Sequence, residues 1–187
     1  MDPRIARTRQ SLRQAALELA AERDLDAITV GDIAERAGVN RSSFYQHYSD
    51  KETLLADALD AVLEEVSASV AAPLERIDLP PLAFVQFLEH VEAHADLYRW
   101  ALGPHGSGVV TDRLRMRVER LVLFHLALEG ARTPFEGIPA DIVAASVAGS
   151  GLGAIRAWLE SDPRAPVAVA TGWLWRMLLL GGPAGVD

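Results

Sequence analysis

The sequence predicts an all-α fold of about nine helices, in which an N-terminal three-helix unit containing a helix-turn-helix precedes a C-terminal helical bundle. Three observations carry this expectation. Ala, Leu, Glu and Arg are abundant, aromatics make up only 6% of the 187 residues, and runs of alternating β-branched residues are absent. Apolar residues recur at helical spacing along most of the chain. Proline and glycine clusters punctuate these stretches at ordinary helix lengths. Half of the residues are hydrophobic, enough for a substantial core, and the lack of cysteine excludes disulfides and thiolate metal sites.

From Arg4 to about Glu22, Ile5, Leu12, Ala16, Leu19 and Ala20 mark an amphipathic first helix that ends in ERDLDAIT. Thr29 reads as the N-cap of a second helix, with Asp32 in a capping-box position and Ile33 and Ala34 facing inward. Gly38 stops it, and Asn40 or Arg41 opens a short third helix. Asp50 caps a long helix to about Ala71, broken by Pro73. Pro80 and Pro81 open a single helix over 82 to about 102, closed by the glycine-rich segment 103–108. Another helix spans 109–130 and is followed by the loop TPFEGIP. Pro139 and Asp141 start a helix to about Glu160, which Ser161-Asp162-Pro163 terminates. Pro166 begins the last helix, to about Leu180, leaving GGPAGVD as a frayed tail. Two domains are expected, residues 1–50 and 51–187.

Residues 29–55 form the most informative stretch. Ala34 keeps the second helix slim where the third crosses it, Gly38 four residues later permits a left-handed turn, and Phe44 six residues on buries the third helix. An ordinary helical hairpin would share these features, but a helix-turn-helix adds polar side chains on the free face of its second helix. Arg41, Ser42, Ser43, Tyr45 and Gln46 are on or near that face, with Phe44 and Tyr48 packing back. Arg41 and Gln46 are the candidates for base edges, since arginine can fork onto guanine and glutamine onto adenine.

The segment GVNRSSFYQHYSDKETLL resembles the recognition helix and following helix start of the TetR family of transcription regulators. That likeness covers about the first 60 residues. A weaker one, in GSGLGAIRAWLESDPRAPVAVATGWLWRML, is similar to the ligand-sensing and dimerising half of one branch of the family. The resemblance implies a dimeric, ligand-responsive regulator, a repressor more often than an activator, that binds a palindromic operator in double-stranded DNA. It assigns phosphate contacts to Ser43, Tyr45, His47 and Lys51, and Thr29 can make one at a helix N-terminus. Lys51, the chain's only lysine, reads as such a contact rather than as a structural residue. Phe44 stands where leucine is frequent and Tyr48 where phenylalanine is frequent, so Tyr48 brings a hydroxyl that needs a partner.

The net charge of −8 argues against a nucleic-acid partner until it is divided. Residues 1–51 hold eight Lys/Arg and eight Asp/Glu, so the excess acid lies in 52–187, and Arg4, Arg7, Arg9 and Arg13 crowd the start. No secretory signal is read at the N-terminus, which places the chain in the cytoplasm. The apolar stretches 138–159 and 166–183 are interrupted by Asp141 and Arg156 and by Gly172 and Arg176, so neither is expected to span a membrane.

In the body, Phe84, Phe87, Val91, His94 and Tyr98, with Met116, Phe124, His125 and Leu128, form stripes that enclose either a ligand pocket or a packed core. The resemblance favours a pocket for a small-molecule effector, lined by Phe84, Phe87, His90, Val91, His94, Tyr98, Met116 and Phe124. His90 and His94 have the spacing of a two-histidine metal site, but further ligands from His105, His125, Glu89 or Glu92 would be needed, and pocket lining or ordinary histidines serve as well. No metal and no cofactor are assigned. Ala145, Gly149 and Gly153 make a small-residue stripe, and Leu152, Ile155, Trp158, Leu159, Trp173, Leu174, Met177 and Leu178 supply apolar surface for a homodimeric four-helix interface or an intramolecular core. The dimer reading names Ala145, Gly149, Leu152, Gly153, Trp158, Trp173 and Met177. With no nucleophile–base pattern and no phosphate loop, an enzyme is not expected. The rival readings are a DNA-binding adaptor with a packed body answering to a protein partner and, behind it, a helical small-molecule enzyme or carrier.

Overall fold

The computed structural model describes residues 3–68, 79–104, 106–129, 135 and 137–180. Among the described residues the protein is all-helical, with nine α-helices and no strand. They are α1 (Pro3–Glu22), α2 (Val30–Arg36), α3 (Arg41–Tyr45), α4 (Lys51–Ala68), α5 (Leu82–Ala93), α6 (Ala95–Leu102), α7 (Gly108–Glu129), α8 (Ala140–Glu160) and α9 (Val167–Leu180), with a short 3-10 turn at Leu25–Ala27. Residues 130–134 and 136 of the TPFEGIP loop region, the stretch around Pro73 and the tail GGPAGVD lie outside the described residues.

The chain forms two compact units, Met1–Val62 with His94–Arg113, and Leu63–Ala93 with Leu114–Asp187. The first, the head, is larger than the segment 1–50 marked in the sequence. Its core joins Leu12, Ala16 and Leu19 of α1, Ile33 of α2 and Phe44 of α3 to Leu54, Leu55 and Leu59 of α4 and to Leu97, Tyr98 and Ala101 of α6, all buried. Cutting at residue 50 would expose those leucines, each worth about 1.5–3 kcal/mol of transfer free energy.

The single helix expected over 82–102 is two. His94 leaves the helical region (φ −118°, ψ 38°), α5 ends before it and α6 begins after it. No proline or glycine marks the place. The cause is tertiary, because α6 packs on α1 and belongs to the head while α5 belongs to the second unit.

In the second unit, the body, α9 packs against both α5 and α8. Phe84 meets Trp175 with ring centroids 5.5 Å apart. Val143, Ala144, Ala148, Leu152, Ile155, Trp158 and Leu159 of α8 and Ala170 and Leu174 of α9 are buried. By length and composition alone α8 is apolar enough to cross a membrane, contrary to the expectation that Asp141 and Arg156 interrupt it. Those charges fall near its ends, and the seven buried side chains of α8 are those of a core helix.

Candidate nucleic-acid interface

Each helix of the head begins and ends on local hydrogen bonds. At the start of α2 the Asp32 amide donates to Thr29 Oγ1 (3.2 Å), while the Thr29 amide and hydroxyl both donate to Asp32 Oδ2 (2.8 and 2.7 Å). This is the capping box read from the sequence. It holds the Asp32 carboxyl below its ordinary range, through the Thr29 hydroxyl first, the Thr29 amide next and Arg23 after that. Both Thr29 donors are thereby committed, which leaves it a capping residue with no donor for a phosphate in this arrangement.

The turn between α2 and α3 closes as a Schellman motif. Gly38, at φ 68°, donates to Glu35 O and Val39 donates to Ala34 O. A side chain at this φ costs about 1 kcal/mol or more, which is why glycine stands there. Asn40 then caps α3 by accepting from the Ser43 amide at 2.7 Å. Fixed this way, α3 buries Phe44 completely and turns its other side outward.

Arg41, Ser42, Tyr45 and Gln46 lie on that outer side, all exposed, with Tyr45 at 53%. The Tyr45 ring stands edge-on to Phe44 at 5.4 Å, so its position is set by the buried residue beside it. Ser42 donates to Asn40 Oδ1 (2.7 Å), which leaves its oxygen as an acceptor only. Ser43 and His47 are half-buried at the edges of the same face. The structure thus brings together Arg41, Ser42, Tyr45 and Gln46, with Ser43 and His47 flanking them.

Lys51 has a structural task that the sequence reading discounted. Its ammonium donates to Leu25 O at 2.6 Å and to Ile28 O at 3.1 Å, tying the first residue of α4 to the 3-10 turn after α1. One of its three N–H groups remains for an outside acceptor. Beside it, Asp50 caps α4 by accepting from the Thr53 amide (2.7 Å). Its carboxyl is held low mainly by the Thr53 side chain and amide, with Ser49 contributing less.

Sequence reasoning missed Asp57. The Tyr48 hydroxyl donates to Asp57 Oδ2 at 2.5 Å, Arg9 reaches Oδ1 at 3.1 Å, and Arg13 reaches Oδ2 at 3.4 Å. Arg9 also donates to the Tyr48 oxygen (3.3 Å) and lies over its ring. Burial first, and the Asp57 bond second, push the Tyr48 phenol up to about 12. The extra hydroxyl at position 48 was the one available signal. Its partner lies nine residues on, and the arginines 44 and 48 residues from Asp57 carried no local mark. Trp100 of α6 was missed likewise; its indole donates to Asp26 in the turn gripped by Lys51 (2.9 Å).

The residues named for a pocket are divided between the two units. Phe84, Phe87, His90 and Val91 share α5 in the body, with Phe87 and Val91 buried. His94 and Tyr98 belong to the head. Burial holds the His94 imidazole below its ordinary pKa and pushes the Tyr98 phenol up. Met116 and Phe124 are about half exposed, because α7 directs Leu114 inward and these two outward. With His94 at a helix break, His90 and His94 are not on one continuous helix, and among the described residues no group of three or more potential metal ligands exists. His105 and the side chain of Leu128 lie outside the described residues.

The residues named for a dimer interface also divide. Ala145, Gly149 and Gly153 form an exposed stripe on α8, and Trp173 (51%) and Met177 (43%) are exposed on α9. Leu152 and Trp158 instead belong to the chain's own core. The Trp158 indole donates to Ala165 O at 2.9 Å, a bond that seats the ring under the loop between α8 and α9.

A capped α2, a Schellman turn and an outward polar face on α3 define the class of helix-turn-helix DNA-binding proteins. Residues 12–58 match the family model described as bacterial regulatory proteins, tetR family. That match takes in the helix-turn-helix and about a quarter of the chain, and over this segment the chain is similar to the family. Over 107 residues it is 36% identical to the HTH-type transcriptional repressor KstR2 of Mycobacterium tuberculosis, a match covering 51% of this chain and 54% of that one. Over 122 residues it is 27% identical to the repressor DhaR of Mycobacterium sp. strain GP1, covering 60% and 62%. The chain thus spans little more than half the length of these relatives. Among solved structures it is similar to Thermus thermophilus FadR in complex with lauroyl-CoA, with TM-score 0.66, 22% identity and coverage of 96% and 97%. A TetR-family regulator from Syntrophomonas wolfei gives TM-score 0.69 at 15% identity, covering 96% of each chain. At these identities the likeness establishes the fold.

Proposed function

We propose that the protein is a dimeric, ligand-responsive transcription regulator, a repressor in its ordinary mode, acting in the cytoplasm on a palindromic operator. The observation that carries this is the outer face of α3, where Arg41, Ser42, Tyr45 and Gln46 are exposed on a helix fixed by Asn40 and Phe44. Arg41 and Gln46 read base edges, while Tyr45, Ser43, His47 and the remaining Lys51 N–H hold phosphates. The repressor names of KstR2 and DhaR support the direction of control.

Ile142, Val169, Trp173 and Met177 are exposed around the small-residue stripe of α8, apolar area of the kind that a second copy covers. Two heads joined there read two half-sites about one helical turn of DNA apart. An effector held among the body helices shifts the population of head arrangements by its differential affinity for them. FadR, whose structure contains lauroyl-CoA, supports a body able to hold a small molecule. Phe84, Phe87, His90 and Val91 are the lining we assign to it.

Selection of bound duplexes from a random pool tests the reading, with Arg41→Ala/Tyr45→Ala protein as the control. A palindrome enriched by the wild type and lost in the variant is the expected outcome. A folded dimer that enriches nothing, even at lowered salt, would overturn it.

A further inference from the structure

Arg41, Tyr45 and Gln46 have tasks on the outer face of α3, but Ser42 has none, although it points most directly away from the core. Successive residues of a helix turn by about 100°, so Ser42 and Gln46 each stand about 200° from Phe44 and about 40° from each other. Phe44 is completely buried, and Ser42 and Gln46 are both exposed. Gln46 keeps a helical backbone at the C-cap (φ −73°, ψ −20°), so the same geometry carries through to it. The serine therefore shares its direction with the base reader one turn on.

What Ser42 offers there is fixed by Asn40. The Ser43 amide can only donate, and it meets Asn40 Oδ1 at 2.7 Å, which orients the Asn40 side-chain amide with its oxygen toward α3. The Ser42 Oγ lies 2.7 Å from the same oxygen. An amide oxygen carries no proton, so the serine hydroxyl is the donor and its hydrogen is held by the cap. Two lone pairs remain on an exposed oxygen that accepts and does not donate. Phosphate oxygens are acceptors as well, so the DNA backbone gives this group no partner. In the major groove the donors are adenine N6 and cytosine N4, while guanine O6 and N7 and thymine O4 would face it with lone pairs of their own.

We infer that Ser42 is a specificity-determining residue, which accepts a hydrogen bond from the exocyclic amino group of an adenine or a cytosine in each half-site. Its polarity is opposite to that of Arg41, whose guanidinium only donates, so α3 presents an obligate acceptor beside an obligate donor. A serine free to rotate its hydroxyl would tolerate either kind of base edge. Asn40 removes that tolerance, and so serves both the start of the helix and the choice of base. The inference rests on the regulator reading above.

The test uses the full chain and the selected duplex, in which each adenine or cytosine of the half-site is replaced in turn by an analogue lacking the amino group, purine or a pyrimidinone. Affinity is measured for wild type and Ser42→Ala; the weakened base pair is common to both proteins and cancels in the comparison. At one base, wild type should lose about tenfold per half-site and Ser42→Ala nothing further. Asn40→Gly frees the Ser42 proton, and should narrow the preference at that base for the amino group over the keto group of hypoxanthine or uracil. If amino removal weakens Ser42→Ala as much as wild type at every base, or if Asn40→Gly keeps the full preference, the assignment is overturned and the regulator reading stands. If wild type binds no duplex, both fall.

Discussion

The head and the body solve the same packing problem to different degrees. In the head, the helix starts at Thr29, Asn40 and Asp50 are closed by side chains three residues away or nearer, and the outward residues of α3 are polar or amphipathic. In the body, Ile142, Val169, Trp173, Met177, Met116 and Phe124 are left exposed. A unit whose hydrogen bonds close locally folds on its own terms. The second unit leaves Trp173 half exposed among other apolar side chains, the surface that the proposed second copy would cover.

Substitutions can break that contrast, and the largest effect belongs to the head. Phe44→Ala empties the fully buried site that anchors α3, and should cost about 3–5 kcal/mol in denaturant unfolding. Tyr48→Phe keeps the ring and removes the donor to Asp57; a loss of about 1.5 kcal/mol is expected, since Arg9 and Arg13 still serve the carboxylate. No change in unfolding midpoint would mean that the two arginines alone hold α1 to α4.

Thr29→Ala should cost about 1 kcal/mol by opening the capping box. Its pH signature sharpens the assignment. Because the Asp32 carboxyl is held below its unfolded value, its stabilisation is complete above the unfolded aspartate pKa near about 4 and is lost as pH falls through the folded value. The wild type should therefore lose more stability than Thr29→Ala between about pH 5 and pH 2, as followed by thermal melts in both proteins.

The smallest effect on the isolated chain is expected in the body. Trp173→Glu with Met177→Glu alters exposed positions and should move monomer stability by no more than about 0.5 kcal/mol. Sedimentation should nevertheless show the proposed dimer dissociating at concentrations where that of the wild type is intact. A double variant that stays dimeric would place the interface elsewhere.

What was legible in the sequence follows the same division. Thr29 with Asp32, Gly38 and Asp50 act within a few residues, so residue type and spacing reveal them. The break at His94 has no local cause, since α6 is drawn to α1 by Leu97, Tyr98 and Ala101 meeting a distant helix. Helical periodicity located the apolar stripes of α8 but did not say which stripe meets the chain itself. Leu152 and Trp158 therefore read as interface and proved to be core, while their neighbours Gly149 and Gly153 are exposed. The same ambiguity turned Met116 and Phe124 outward.

The clasp that Lys51 makes on Leu25 and Ile28 has a chemical corollary. A chain with one lysine concentrates all of its side-chain amine chemistry at one nitrogen, and here that nitrogen ties the start of α4 to the turn after α1. An acyl group placed there would take away the charge and crowd the two carbonyls in a single event. Amine-directed labelling, usually a scatter of products, would thus find one side-chain site besides the α-amino group, and the rate at that site in the free and DNA-bound protein would report how firmly the clasp is closed.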